Sequence, residues 1–231
     1  MAVAEGRLFP LLKAAAGRHW QDYAGHAFVR GLGDGTLPLA CFRHYLVQDY
    51  IFLINFARAY ALGVYKAETV EEMRYALASL DGLLQSELQL HLGYCRTWGL
   101  AEAEILATPE ATGNMAYTRF VLERGQAGDY LDLLVALAPC VVGYAEIGDR
   151  LLRDPGPRRD GNPYLPWIES YGGDAFQAMA SDACQQLDRA AERRIGTTFE
   201  AAPRFAALAR TFEQATRLEV GFWDMGLAPP T

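Results

Sequence analysis

Tyr130-Leu131-Asp132-Leu133-Leu134-Val135-Ala136-Leu137-Ala138-Pro139-Cys140-Val141-Val142-Gly143-Tyr144-Ala145-Glu146-Ile147-Gly148 reads as a long apolar helix through the middle of the protein. The run approaches the length of a membrane span. Asp132, Glu146 and Pro139 argue against lipid, where buried charge is expensive, and favour a core helix. The interior proline removes one backbone hydrogen bond and crowds the preceding turn, at a cost of roughly 3 kcal/mol. Cys140 follows it directly, and Tyr144 lies one turn further on the same face. A thiol in this place has two readings: a small buried hydrophobe, which is the common fate of cysteine, or a reactive group.

Outward from this helix, periodicity is helical almost everywhere, and no convincing alternation of apolar and polar residues marks a strand. The expected helices cover residues 3–17, a short piece at 24–30, then 38–64, 69–98, 102–106, 114–125, the central one to about 153, 164–171, 174–194 and 202–225. Pro38 suits a first helical turn. Thr69 with Glu72 three residues on has the capping-box pattern. Gly31–Thr36 reads as a turn, and Asp154–Pro163 as the clearest loop in the chain. Helical sequence on both sides of that loop needs covering, so residues 1–231 are expected to form one all-α domain.

The totals fit this reading. The chain has 231 residues, 51% of them hydrophobic, which is enough for a substantial core. The formal net charge is −7. No cluster of lysine or arginine is long enough to track phosphates, Arg158-Arg159 being only a pair, so a nucleic-acid partner is not expected. Residues 1–19 lack the pattern of a secretory signal, and the cytoplasm is the expected location. Cys41, Cys95, Cys140 and Cys184 are widely spaced with no C-x-x-C, which excludes a zinc ribbon or a thioredoxin-type motif and predicts free thiols.

Two acids fall on otherwise apolar helical stripes. Asp49 lies between Leu46 and Phe52, and Glu219 lies among Thr216, Phe222 and Trp223. A carboxylate on a buried face needs a partner, whether an arginine, a helix end or a bound ligand. Burial raises a carboxyl group's pKa and suits it to general acid and base work. A thiolate is a nucleophile when a neighbouring network produces it. Tyr117, Tyr144 and Tyr171 offer hydroxyls and flat rings, and such a lining suits a small planar polar ligand. Glu87 and His91 are four residues apart. With no second ligand pair and no Glu-x-x-His motif, an internal hydrogen bond between them is the reading, and no metal site is expected.

Gln48-Asp49-Tyr50 with Phe56-Ala57, Pro139-Cys140 with Tyr144-Ala145-Glu146-Ile147-Gly148, Trp167-Ile168 with Tyr171, and Glu219 with Phe222-Trp223 and Met225 together resemble the TenA/thiaminase II family, in order and over nearly the whole chain. The resemblance implies the all-α haem-oxygenase-like bundle, a homotetramer, and no haem, metal or other cofactor. It implies hydrolysis of aminopyrimidines in thiamin salvage, releasing 4-amino-5-hydroxymethyl-2-methylpyrimidine from an aminomethyl pyrimidine or from thiamin. By the same resemblance Cys140 is the nucleophile and Glu219 handles the ring and leaving-group protons. Asp49 holds the amino group and adjacent ring nitrogen, Tyr144 and Tyr171 position the thiol or substrate, and Tyr117 and Phe222 line the ring. Phe52 stands where the family often has tyrosine, and Tyr164 competes with Tyr171 for its place. The alternative is a non-catalytic helical protein that binds a pyrimidine or a protein partner.

Overall fold

The computed structural model describes residues 6–153 and 161–230, and every regular element among them is helical. Helices α1 (Leu8–Ala16), α2 (Arg18–Ala24) and α3 (Ala27–Asp34) lead into the long α4 (Leu39–Lys66). Helix α5 (Val70–Gly82) passes through a π-helical turn, Leu83–Glu87, into α6 (Leu88–Thr97). Then come α7 (Glu102–Ala107), α8 (Thr112–Ala127), α9 (Tyr130–Arg153), α10 (Leu165–Gly172) and α11 (Asp174–Ile195). A 3₁₀ turn at Phe199–Ala201 precedes α12 (Phe205–Leu227).

Helix α9 is the axis. It packs most extensively on α10 and α11, then on α12 and α8, and also touches α4 and α2. It is long and apolar enough to cross a membrane by length and composition, but 83% of its apolar window is buried inside the bundle. Leu131, Leu133, Val135, Ala136 and Ile147 are wholly inaccessible. The helix runs unbroken through Pro139, because its surroundings hold it on every side.

Most expected elements appear with shifted ends, and the shifts have local causes. The first helix stops at Ala16 because Gly17 takes φ 54°, and a second helix, α2, follows at once. The break before α3 falls at Gly25-His26, where the His26 ring accepts the Phe28 N–H. Gly31 and Gly33, expected in a turn, are helical; a Cβ on Gly33 would meet Leu151 Cδ2 at 2.8 Å, so the glycine serves close packing. The turn begins at Gly35, with φ 66°. Pro38 caps α4 from outside its first turn. Thr69 does accept the Glu72 N–H, but the Glu72 carboxylate takes the Glu68 N–H instead of closing the box on Thr69. The expected continuous helix over 69–98 carries the π turn. Of the expected loop, residues 154–160 lie outside the described residues, as do residues 3–5 of the first helix.

Two sets of contacts fix the position of α9. Helices α9 and α10 touch backbone to backbone: a Cβ on Gly148 would lie 2.5 Å from the Tyr171 carbonyl carbon, and one on Gly172 would lie 2.6 Å from the Gly148 oxygen. Only glycine allows that approach, and it presses Tyr171 against Tyr144, ring centroids 5.0 Å apart. At the start of α9, Arg194 of α11 holds Glu72 of α5 with bonds of 2.7 and 3.0 Å. Arg204 holds Asp129 at 2.7 Å and Asp132 at 2.8 Å.

Candidate active site

Helix α4 brings Asp49 into the core with a carboxylate whose two oxygens are treated differently. Oδ2 accepts the Tyr45 hydroxyl at 3.0 Å and lies 2.7 Å from His91 Nε2. No described residue donates to Oδ1. The other His91 nitrogen, Nδ1, lies 2.9 Å from the Glu87 main-chain oxygen. Both ring nitrogens therefore face acceptors, which calls for a proton on each. Burial alone would lower the His91 pKa, but the Asp49 hydrogen bond and charge, with Glu87 behind them, raise it. The internal bond expected between Glu87 and His91 thus runs through the Glu87 backbone, and the His91 ring is spent on Asp49. Asp49 has neither an arginine nor a helix end as its partner.

Glu219 of α12 is 1% exposed. Its Oε1 accepts the Tyr117 hydroxyl of α8 at 2.8 Å, and no described residue donates to Oε2. Burial pushes its pKa up to about 8, with the Asp49 charge adding to the rise and the Tyr117 bond opposing it. At neutral pH Glu219 is mostly a neutral acid. Glu87 is the third carboxyl group. It ends the π turn, its Oε1 accepts the Tyr171 hydroxyl at 3.1 Å, and burial raises its pKa.

Cys140 faces these acids from α9. Burial pushes its thiol well above the ordinary range, and the charges of Glu219, Glu87 and Asp49 push it further, in that order. Yet Cys140 and Glu87 both keep open surface. A partly buried cysteine within electrostatic reach of three acids marks a candidate binding hollow. Its walls are aromatic. Phe52 packs on Tyr117 and Phe222 with centroids 5.2 and 5.3 Å apart. Tyr144 packs on Tyr171 and Trp167, and the Tyr45 and Tyr144 hydroxyls are 3.5 Å apart.

All eight residues singled out from the sequence, Cys140, Glu219, Asp49, Tyr117, Tyr144, Tyr171, Phe222 and Phe52, therefore lie in one connected cluster. Tyr164, the competitor of Tyr171, donates instead to the Leu37 carbonyl. Three members of the cluster were not singled out as site residues. Tyr45 was read as core on its stripe, and Glu87 and His91 were read as each other's partners. Among the described residues no group of three or more His, Cys, Asp or Glu side chains is arranged to hold a metal ion. A separate cavity of about 20 Å³ is lined by Tyr60, Tyr75, Leu134, Leu137 and Val141 among others. It has room for about one water and touches none of the eight.

The sequence profile of the TENA/THI-4/PQQC family matches residues 13–228. An aminopyrimidine aminohydrolase from Halalkalibacterium halodurans is 35% identical over 206 residues, covering 89% of each chain. An uncharacterized protein of Haemophilus influenzae is 42% identical over 209 residues, covering 90% of this chain and 94% of that one. Among solved structures, a Silicibacter protein described as a TenA family transcription regulator superposes with a TM-score of 0.94 at 50% identity, over 98% of this chain and 99% of its own. With its haem-oxygenase-like helical bundle, the chain belongs to the TENA/THI-4/PQQC family.

Proposed function

We propose that this chain is a hydrolase of thiamin salvage that releases 4-amino-5-hydroxymethyl-2-methylpyrimidine from an aminomethyl pyrimidine or from thiamin. The observation that carries the reading is the partly buried Cys140 within electrostatic reach of Asp49, Glu87 and Glu219, beside an aromatic wall. The 35% identity to a protein named aminopyrimidine aminohydrolase supports the substrate class.

The ring lies against Phe52, Tyr117 and Phe222, with its 4-amino group donating to Asp49 Oδ1. Cys140 and Glu219 are both neutral at rest, so addition needs no preformed thiolate. As sulfur bonds to C6, Glu219 gives its proton to the adjacent ring nitrogen and takes up the thiol proton, ending unchanged. The adduct has lost aromaticity, and the 4-amino nitrogen pushes electrons through C4 and C5 to expel the leaving group from the exocyclic carbon. Asp49 stabilises the positive charge that gathers on that amino group. Water adds to the exocyclic carbon, the sulfur leaves with its electron pair, and the ring nitrogen returns its proton. A covalent adduct divides one hard displacement into easier steps.

The acting form is a cytoplasmic homotetramer. Val70, Met73, Leu77 and Leu84 project from one region of α5 and its π turn with 41–57% of their surface exposed, and a subunit interface would cover them. Light scattering tests the assembly. The reaction is tested by incubating purified protein with aminomethyl-aminopyrimidine and with thiamin, and measuring the hydroxymethyl product by chromatography. Folded protein that makes no product from either overturns the reading. Tight calorimetric binding of an aminopyrimidine without product supports the non-catalytic alternative.

A further inference from the structure

Glu87 takes no part in the proton transfers between Cys140 and Glu219, yet it stands at the hollow. It closes the π turn, a helical irregularity that often accompanies functional sites. One carboxyl oxygen accepts from Tyr171 and no described residue donates to the other. The Asp49 charge reaches both Glu87 and Glu219, and each of the two reaches the Cys140 thiol. They hang from different walls: Tyr171, which donates to Glu87, packs on Tyr144 and Trp167, whereas Tyr117, which donates to Glu219, packs on Phe52. The line from Asp49 to Cys140 therefore has Glu87 on one wall and Glu219 on the other.

An aminopyrimidine laid on that line divides the same way. With its 4-amino group at Asp49 and C6 at Cys140, the ring nitrogen next to C6 falls on one side. C5 and its exocyclic carbon fall on the other. Glu219 then serves the ring nitrogen, and Glu87 meets the leaving group. Resting on the aminopyrimidine reading, we propose that Glu87, steadied by Tyr171, is a second proton carrier stationed at the exocyclic carbon, and that it fits the site to amine leaving groups.

The step balances. One proton lies between the Glu87 carboxyl and the departing nitrogen. The carbon–nitrogen bond breaks, its electron pair stays on nitrogen, and the nitrogen leaves with that proton as a neutral amine. Glu87 is left as a carboxylate. Water then forms the carbon–oxygen bond and returns a proton to Glu87. A thiazolium leaving group differs, because the electron pair of the broken bond cancels its own positive charge and it departs without a proton.

The test compares turnover of aminomethyl-aminopyrimidine and thiamin by the full chain, its Glu87→Gln variant and its Glu219→Gln variant. If the wild type refuses thiamin, the N-pyridinium counterpart replaces it, since pyridine also departs without a proton. Glu87→Gln is expected to lower kcat on the amine substrate about 100-fold more than on the cationic one, the scale of lost general acid catalysis. Glu219→Gln is expected to lower both by similar factors. Equal losses on both substrates in Glu87→Gln overturn the proposal. If that variant fails to fold by circular dichroism, Tyr171→Phe replaces it, with the same direction and a smaller ratio, and an unchanged ratio there overturns the proposal equally. A wild type inactive on every substrate instead sinks the aminopyrimidine reading itself.

Discussion

Two groups of buried or partly buried acids lie in this bundle, and they are treated in opposite ways. Where α5, α9 and α11 meet, Glu72 and Asp129 face arginines. Burial alone would raise both, but Arg194 for the first and Arg204 for the second outweigh it and hold their pKa values low. At the central hollow, Glu87 and Glu219 are met by tyrosine hydroxyls, with no guanidinium beside them among the described residues, and burial wins. The first group stays charged and ties helices together. In the second, Glu219 holds its proton near neutral pH and Glu87 is shifted in the same direction, towards the state that proton transfer requires. Partner and depth together decide which kind of group such an acid becomes.

Three substitutions bear on that contrast. Cys140→Ser removes the group the hollow is built around and should lower turnover by on the order of 10³ or more, while the melting temperature changes little. Activity close to wild type would remove the nucleophile. Arg194→Leu strikes the other group. It strands Glu72, whose side chain is 5% exposed, and should cost about 3–5 kcal/mol in chemical denaturation, with kcat per folded molecule unchanged. A loss of kcat without loss of stability would merge the two groups into one.

The effect of Glu219→Gln on stability depends on pH. The folded pKa of about 8 lies above the ordinary glutamate value, so the folded state binds the proton more tightly than the unfolded chain. Stability from this group is complete at acid pH and falls as pH rises towards 8. Glutamine carries no such penalty. The variant should therefore gain on the wild type from about pH 5 upward, levelling off above pH 8, in melts taken across that range. Glu72 and Asp129 run the other way: their contribution is present at neutral pH and is lost as pH falls through their lowered values. A Glu219→Gln advantage that grows towards acid would reverse the assignment.

The sequence carried much of this arrangement because helices announce their buried faces. Asp49 and Glu219 interrupt apolar stripes, and Cys140 follows a proline in the most apolar run, so each stood out before any contact was known. Tyr45 did not, because a tyrosine between Phe42 and Leu46 looks like any core aromatic. Its hydroxyl bond to Asp49 is a matter of orientation. Glu87 and His91 do form the expected bond, through the Glu87 main chain, but their spacing gives no sign of the further pairs His91–Asp49 and Glu87–Tyr171. Helical spacing reports only neighbours on one helix, while the His91–Asp49 contact joins residues 42 positions apart. The π turn adds to the difficulty, since it breaks the phase on which spacing arguments rest. The split of the first helix at Gly17 was missed because a positive φ leaves no mark in the pattern of apolar residues.

The unequal oxygens of Asp49 have a consequence for discrimination. With Oδ2 already taken by Tyr45 and His91, Oδ1 alone would meet a ring bound as proposed, and a carboxylate oxygen can only receive a hydrogen. A 4-oxo pyrimidine would set a bare carbonyl against that bare oxygen. In the proposed pose, repulsion between lone pairs would thereby disfavour a carbonyl in the place of the amino group, without any side chain standing in the way.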